Sequence, residues 1–223
     1  MANFTMHFSV AAAGGTLLGG LGWQFGLWSL DDGFAIAGLT ALGGVVPDID
    51  ADHSRAVRLI FTVMAILSVI GVVTASMPFL GITETSLAGV LAFFTVRYPL
   101  SAIFKHYSVH RGVWHSLLAA LLTGALVAVV SYQLFLRTPL QSWHFAGATL
   151  IGVLIHLLLD EIYSIDMMGT RLKRSFGTAF KLYDYKTPST ALLMSVVIVS
   201  LTPWLPPLAT LGQLMGSIGA LWY

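Results

Sequence analysis

The chain has 223 residues, of which 57% are hydrophobic and 9% charged, and its mean hydropathy is +0.84. A soluble domain carries about a quarter charged residues, so this chain has too few polar groups to cover a water-facing surface. A net charge of +1 gives no reason to expect a nucleic-acid partner, and the lack of cysteine excludes disulfides, thiolate metal sites and a cysteine nucleophile. The composition therefore predicts an integral membrane protein.

Apolar runs that approach the ~20 residues needed to cross a bilayer follow one another along the chain. In chain order they predict helices over about 8–28, 33–47, 56–77, 79–96, 113–136, 143–160 and 188–207. The tail after Pro206 and Pro207 either forms a short eighth span or lies in the interface. The expected fold is all-α, a polytopic transmembrane bundle of about six to eight spans, in one integral membrane domain over residues 1–223.

Basic residues divide unevenly between the two membrane faces when the predicted spans are threaded in order. Ten of the eleven Lys and Arg residues fall on the face that holds the N-terminus, and Arg137 falls on the other. Basic residues near span ends accumulate on the cytoplasmic side. We therefore expect a multi-pass protein of the cell (inner) membrane with a cytoplasmic N-terminus.

Potential metal ligands collect on this same cytoplasmic face. Four segments far apart in sequence deliver them: His7 before the first span, Asp48 and Asp50 in VVPDID, His110 and His115 in HRGVWH, and His156 and Asp160 in IHLLLDE. Such a convergence of ionisable groups at the ends of apolar helices predicts one shared site.

The local geometry of each pair fits ligation of a common ion. His156 and Asp160 are four residues apart, so both lie on one face of a helix. Pro47 should break the second span and leave the two aspartates of PDID in irregular backbone that turns toward one point. His110 and His115 converge only if a helix begins between them, near Gly112, which would put His115 in the first helical turn.

Imidazole and carboxylate ligands without thiolate suit Zn²⁺ first, with Mn²⁺ or Fe²⁺ as alternatives. Seven ligands exceed what one tetrahedral zinc takes, so a cluster of two or more metals is open, as in phosphate-ester hydrolysis. The second span has only about 15 residues, roughly 22 Å against ~30 Å of hydrocarbon. The site should therefore lie recessed near headgroup depth, where a membrane lipid reaches it from the side.

Each motif also has a purely structural interpretation, and together they could form a polar network that holds the helices in place. Arg111 either contacts a substrate phosphate or anchors the chain at the membrane. Glu161 serves as a general base, as a partner of a ligating histidine, or as a solvated helix end. The basic and aromatic segment 170–187 either covers the site and holds anionic headgroups or carries only the topology signal.

The blocks TMHFSVAAAG, VVPDID, HRGVWHSLL and IHLLLDE resemble the YdjM-type family of inner-membrane proteins, described as metal-dependent hydrolases. More distantly, the histidine and aspartate set is similar to zinc-dependent phospholipase C and the P1-type nucleases, a similarity that implies a mostly helical fold, a multi-zinc site and phosphodiester chemistry. Trp114 and the long basic segment after Asp160 depart from the family pattern. The resemblance therefore carries over the metal site but not the substrate pocket.

The resulting hypothesis is a membrane-bound metal-dependent hydrolase that acts on a phosphate ester or another lipid-linked bond. The predicted ligands hold the metals, and Arg111 binds the oxyanion. The alternative is a non-enzymatic metal-binding membrane protein, either a metal transporter or a metal-stabilised scaffold. Transporters usually place their ligands near the bilayer midplane, whereas these residues gather at one face.

Overall fold

A computed structural model describes residues 3–50, 55–107, 113–166, 171–172 and 180–212 of the chain. Within these ranges the regular secondary structure is helical apart from one antiparallel pair of two-residue strands, β1 (Ile165–Asp166) and β2 (Arg171–Leu172). The α-helices are α1 (Phe4–Gln24), α2 (Leu30–Gly43), α3 (Arg55–Ser76), α4 (Ile82–Thr95), α5 (Ser101–Tyr107), α6 (Leu117–Val129), α7 (Pro139–Ile162) and α8 (Pro188–Leu201). The predicted all-α class is confirmed, and each predicted span overlaps a helix.

Short turns of other helical types join or extend these helices. Two 3₁₀ turns cover Val46–Asp50 and Thr202–Trp204, and two π turns cover Val96–Leu100 and Val130–Leu134. Pro99 lies in the first π turn, where it removes one helical hydrogen bond. Because of this turn, α4 continues into α5.

In the described part of the chain, four helical segments are long and apolar enough to cross a membrane: Arg55–Ser76, Ile82–Lys105, Leu117–Leu134 and Pro139–Ile162. The first helix has 21 residues, which is long enough, but five glycines and several polar side chains lower its hydropathy. The second and eighth helices have 14 residues each, about 21 Å. A count of seven or eight spans stays a prediction, and residues 213–223 of the tail lie outside the described ranges.

The chain divides into two compact units, Met1–Pro47 with Val113–Tyr223, and Asp48–Gly112. In the second unit α3 packs on α4, where a Cβ added at Gly89 would lie 3.2 Å from Val73. The rings of Phe61 and Phe104 are 5.4 Å apart between centroids in the same unit. A small core is thus enough to pair its two long helices.

Backbone contacts between glycine-bearing helix faces hold α1, α2 and α7 together in the first unit. A Cβ added at Gly19 of α1 would lie 2.3 Å from the carbonyl oxygen of Gly33 in α2. A Cβ added at Gly152 of α7 would lie 2.1 Å from the carbonyl oxygen of Thr40. Small residues at these positions allow the helices to approach closely, and α1 and α7 both pack on the same helix, α2.

The start of α6 depends on partners from a distant segment. The Ser116 side chain accepts from the backbone N–H of Ala119 at 3.2 Å and caps the helix. The N–H groups of Leu117 and Leu118 donate to the carbonyl oxygens of Lys181 and Leu182, each at 3.0 Å. The first donors of the helix, which have no partner inside it, are thus satisfied by residues that follow α7.

Candidate metal centre

Four of the seven predicted ligands lie together in the first compact unit. His7 lies in the first turns of α1, His156 and Asp160 in the last turns of α7, and His115 just before α6. The placement of His115 corrects the prediction that it lies in the first helical turn. Because Ser116 adopts an extended backbone and caps α6, the helix begins after His115 and not at Gly112.

Three imidazole nitrogens surround the carboxylate of Asp160. The Nε2 atom of His7 is 3.4 Å from Oδ1, while the Nε2 atoms of His156 and His115 are 3.6 and 3.7 Å from Oδ2. The rings of His7 and His156 stack, with centroids 3.7 Å apart and 13° between their planes. All three rings thus present the same nitrogen to one carboxylate.

These separations fit ligands of a shared ion better than direct hydrogen bonds. Hydrogen bonds from nitrogen to oxygen usually measure about 2.7–3.2 Å. Two atoms bound to one tetrahedral zinc at ordinary bond lengths lie about 3.4 Å apart. One ligand atom from each of His7, His156 and Asp160 lies within 4.8 Å of the others. The spacing therefore leaves these groups suited to a common metal.

The backbone carbonyl of Gly44 selects the tautomer of His156. Its oxygen lies 2.8 Å from Nδ1 of the imidazole, and because a carbonyl oxygen only accepts, Nδ1 carries the proton. Nε2 then turns its lone pair toward Asp160. Metal-ligating histidines are held in this way, with the second ring nitrogen donating to a carbonyl or a carboxylate.

Burial raises the energetic cost of this cluster unless its polar atoms are satisfied. His156 is fully buried and His7 is 2% exposed, and among the described residues the buried Oδ1 atom of Asp160, which faces His7, has no hydrogen-bond partner. His115 is 8% exposed, and the Asp160 side chain is 12% exposed. Buried polar groups without partners destabilise a fold, which a bound cation would offset. The residues present fit a divalent metal.

The remaining predicted ligands are Asp48, Asp50 and His110, and Arg111 is a predicted catalytic residue. Asp48 is half-buried in the 3₁₀ turn Val46–Asp50 and belongs to the second compact unit. The expectation of irregular backbone at PDID is therefore wrong, because α2 already ends at Gly43 and a 3₁₀ turn accommodates Pro47. The side chain of Asp50, and both His110 and Arg111, lie outside the described residues.

Glu161 is half-buried in the last turn of α7, directly after Asp160. Its backbone carbonyl accepts from the backbone N–H of Ser164 at 3.0 Å and from the Ser164 hydroxyl at 2.6 Å. These bonds close the end of the helix and hold Glu161 beside the cluster. Its role as a general base stays a prediction.

Two contributors to the site were not predicted from the sequence. Ser116 had a readable signal, since a serine immediately before an apolar run is a typical helix cap. Gly44 had none, because its part is played by a backbone carbonyl that any residue type carries. Only the packing of α2 against α7 reveals it.

The helices and the cluster define a class of protein, an all-helical membrane protein with three histidines and one aspartate gathered in its interior. The chain belongs to the YdjM inner membrane protein family, whose model matches residues 1–218. The resemblance predicted from the four sequence blocks is thereby confirmed, and with it the inner-membrane character of the chain. No curated protein and no solved structure gives a significant match, and the more distant similarity to phospholipase C and P1-type nucleases is not shown.

Proposed function

We propose that this protein is a metal-dependent hydrolase that acts on a phosphate ester or a phospholipid-like substrate at the cytoplasmic face of the inner membrane. The observation that supports it is the Asp160 carboxylate with three imidazole Nε2 atoms at 3.4–3.7 Å. The basic residues on the predicted N-terminal face support the cytoplasmic orientation.

His7, His115, His156 and Asp160 would hold the metal, and Asp48, Asp50 and His110 are the further predicted ligands. A nitrogen and oxygen donor set without thiolate favours zinc, with manganese and iron as alternatives. When bound, such a metal supplies Lewis-acid catalysis to phosphate-ester hydrolysis.

The remaining steps fall to side chains of the protein. Glu161 accepts the proton of the attacking water, since it lies next to Asp160 at the half-exposed end of α7. Arg111 binds the phosphate oxyanion through its fork of donors. Gly44 keeps the His156 ring in the orientation that leaves Nε2 available.

Metal analysis of the purified protein tests the first half of the proposal. Wild type in detergent should contain one or more equivalents of zinc or manganese by mass spectrometry, and His156→Ala and Asp160→Ala should lose it. His144→Ala is the matched control, because His144 lies on the same helix toward its other end. Folded wild type that stays metal-free after incubation with zinc would overturn the proposal.

Hydrolysis assays test the second half. Metal-loaded wild type should cleave phosphodiester or phospholipid substrates, with the rate reduced by about 10³-fold or more in Asp160→Ala. The His144→Ala control should keep its rate. Equal turnover by wild type and Asp160→Ala would remove this cluster from the reaction.

A metal-stabilised scaffold is the second candidate, favoured by the nearly complete burial of His7 and His156. Such a site keeps no open coordination position. The two candidates separate on one result: a scaffold binds metal and loses thermal stability on its removal, yet cleaves none of the substrates.

A further inference from the structure

An apolar groove opens in the first unit between the first turns of α6 and α8. Its volume is about 510 Å³, which is within the roughly 300–1,000 Å³ typical of ligand sites. Seven of the nine lining residues are Leu, Pro or Ala, and the other two are Tyr and Ser; the leucines are Leu117, Leu118, Leu121, Leu182 and Leu192.

One wall of the groove follows a predicted metal ligand directly in the chain. Leu117 and Leu118 follow His115 by two and three residues, and the Nε2 atom of His115 is 3.7 Å from Asp160. The same two leucines donate their N–H groups to Lys181 and Leu182. The start of α6 and the segment that is hydrogen-bonded to it therefore form one wall of the groove, and His115, a predicted metal ligand, directly precedes this part of α6.

The sides of the groove belong to a surface that suits hydrocarbon. Leu121 is 51% exposed and Leu192 is 66% exposed, and α6 is part of a segment apolar enough to span the membrane. The groove is thus lined by the first turns of such a segment, two residues after His115 in the chain. A flexible hydrocarbon chain fits this lining, because it needs no hydrogen-bond partners.

We propose that this groove binds one acyl chain of a diacyl phospholipid and thereby brings the phosphate of that lipid toward His115 and Asp160. The position of the phosphate rests on the proposed hydrolase function; binding of the chain does not. The substrate class is then a membrane phospholipid and not a soluble phosphate ester.

Photolabelling of the full-length protein in lipid nanodiscs tests the proposal. The probe is phosphatidylglycerol with a photoactivatable diazirine in one acyl chain, and labelled peptides are identified by mass spectrometry. Leu192→Trp fills the groove, whereas Leu193→Trp is a matched control on the neighbouring position, which is 62% exposed and does not line the groove. Leu121→Trp and Leu126→Trp form the corresponding pair on α6.

We expect labelling of α6 and α8 peptides to fall about tenfold in Leu192→Trp and Leu121→Trp, because the indole occupies the space of the chain. It should stay at the wild-type level in the two controls. Equal labelling in all four variants would overturn the proposal. So would groove variants that lose cross-links between two copies and keep their lipid labelling, since a second copy would then cover the groove.

The labelling result does not depend on turnover, so the two proposals fail separately. If the groove substitutions reduce labelling but the protein shows no hydrolase activity, the acyl-chain site is supported and the proposed reaction is not. If hydrolysis is found, Leu192→Trp should slow cleavage of long-chain phospholipids about tenfold and leave water-soluble short-chain esters unchanged. An equal loss on both substrates would contradict the acyl-chain site.

Discussion

The contact between Gly44 and His156 joins the end of α2 to the candidate metal centre. The Gly44 carbonyl accepts from Nδ1 of His156 at 2.8 Å. This approach leaves no room for a side chain, because a Cβ on Gly44 would lie 2.3 Å from the Cβ of Ala11 and 3.3 Å from the carbonyl oxygen of His7. The position of His156 is therefore coupled to the backbone of α1 as well as α2.

Gly44→Ala should weaken metal binding about 10–100-fold, as substitutions of groups that orient a ligand usually do. The added methyl group would collide with Ala11 of α1 and shift the Gly44 backbone, whose carbonyl orients His156. Competition with a chromophoric chelator measures the affinity. Gly38→Ala is the control, since a Cβ there meets nothing within 4 Å. Equal metal affinities in the two variants would show that Gly44 does not contribute to metal binding.

Asp184 stabilises the segment that satisfies the start of α6. It is 8% exposed and accepts from the Thr187 hydroxyl at 2.7 Å and from Lys181 Nζ at 3.2 Å. Desolvation by burial raises the pKa of this carboxyl, but the hydrogen bonds from Thr187 and Lys181 and the charge of Lys181 outweigh it, so the pKa lies below its ordinary value. The ionised form is thus the one that the fold favours.

This lowered pKa makes stability depend on pH in a defined direction. Because the pKa is lower in the folded chain than in the unfolded chain, the stabilisation is full above about pH 4 and is lost as the pH falls through the folded-state value. Asp184→Asn should lower stability by about 1–3 kcal/mol at neutral pH and flatten its acid dependence. Thermal unfolding in detergent measures both effects, and Asp31→Asn, at an exposed carboxylate, is the control for the loss of one negative charge.

At the scale of helices, two neighbouring glycines of α1 differ in their surroundings, because only Gly19 lies against the backbone of α2. Gly19→Ala should destabilise the protein by about 1–3 kcal/mol, because its Cβ would lie 2.3 Å from the carbonyl oxygen of Gly33. Gly20→Ala meets nothing within 4 Å and should be neutral or slightly stabilising. Unfolding in mixed detergent and SDS measures the difference, and indistinguishable variants would contradict the close contact.

The sequence predicted helices well and their ends less well, for a physical reason. Apolar runs as long as 56–77 define a buried or lipid-facing helix whatever its neighbours are. Ends depend on single hydrogen bonds: α1 begins at Phe4 because the Asn3 side chain accepts from Met6 N–H at 2.9 Å. The start of α6 depends further on carbonyls of Lys181 and Leu182, which no local pattern predicts.

The candidate site was predictable to a similar extent. Chain order placed His7, His115, His156 and Asp160 on one face, and the structure brings these four together. The carbonyl of Gly44 and the stacking of the His7 and His156 rings depend on helix packing. The sequence therefore indicated which side chains meet but not their orientation.

At the scale of the whole molecule, the distribution of charge predicts the membrane orientation. The chain lacks cysteine, so a single introduced cysteine reports on its own position. Leu136→Cys, at a position 83% exposed beside Arg137, should react with a membrane-impermeant maleimide in intact spheroplasts. Tyr185→Cys, at a position 64% exposed, should react only after lysis. The reverse pattern would place the N-terminus and the candidate site outside the cytoplasm.

The burial of His7 and His156 also bears on the timing of metal uptake. His7 is 2% exposed and His156 is fully buried, and the helices around them meet backbone to backbone, so the side chains there have little freedom to move aside. An ion held between them would exchange slowly, and chelators would remove it at the rate of helix separation. Loading would then accompany insertion and helix assembly, and the metal supply during biogenesis would decide how much of the protein carries an ion.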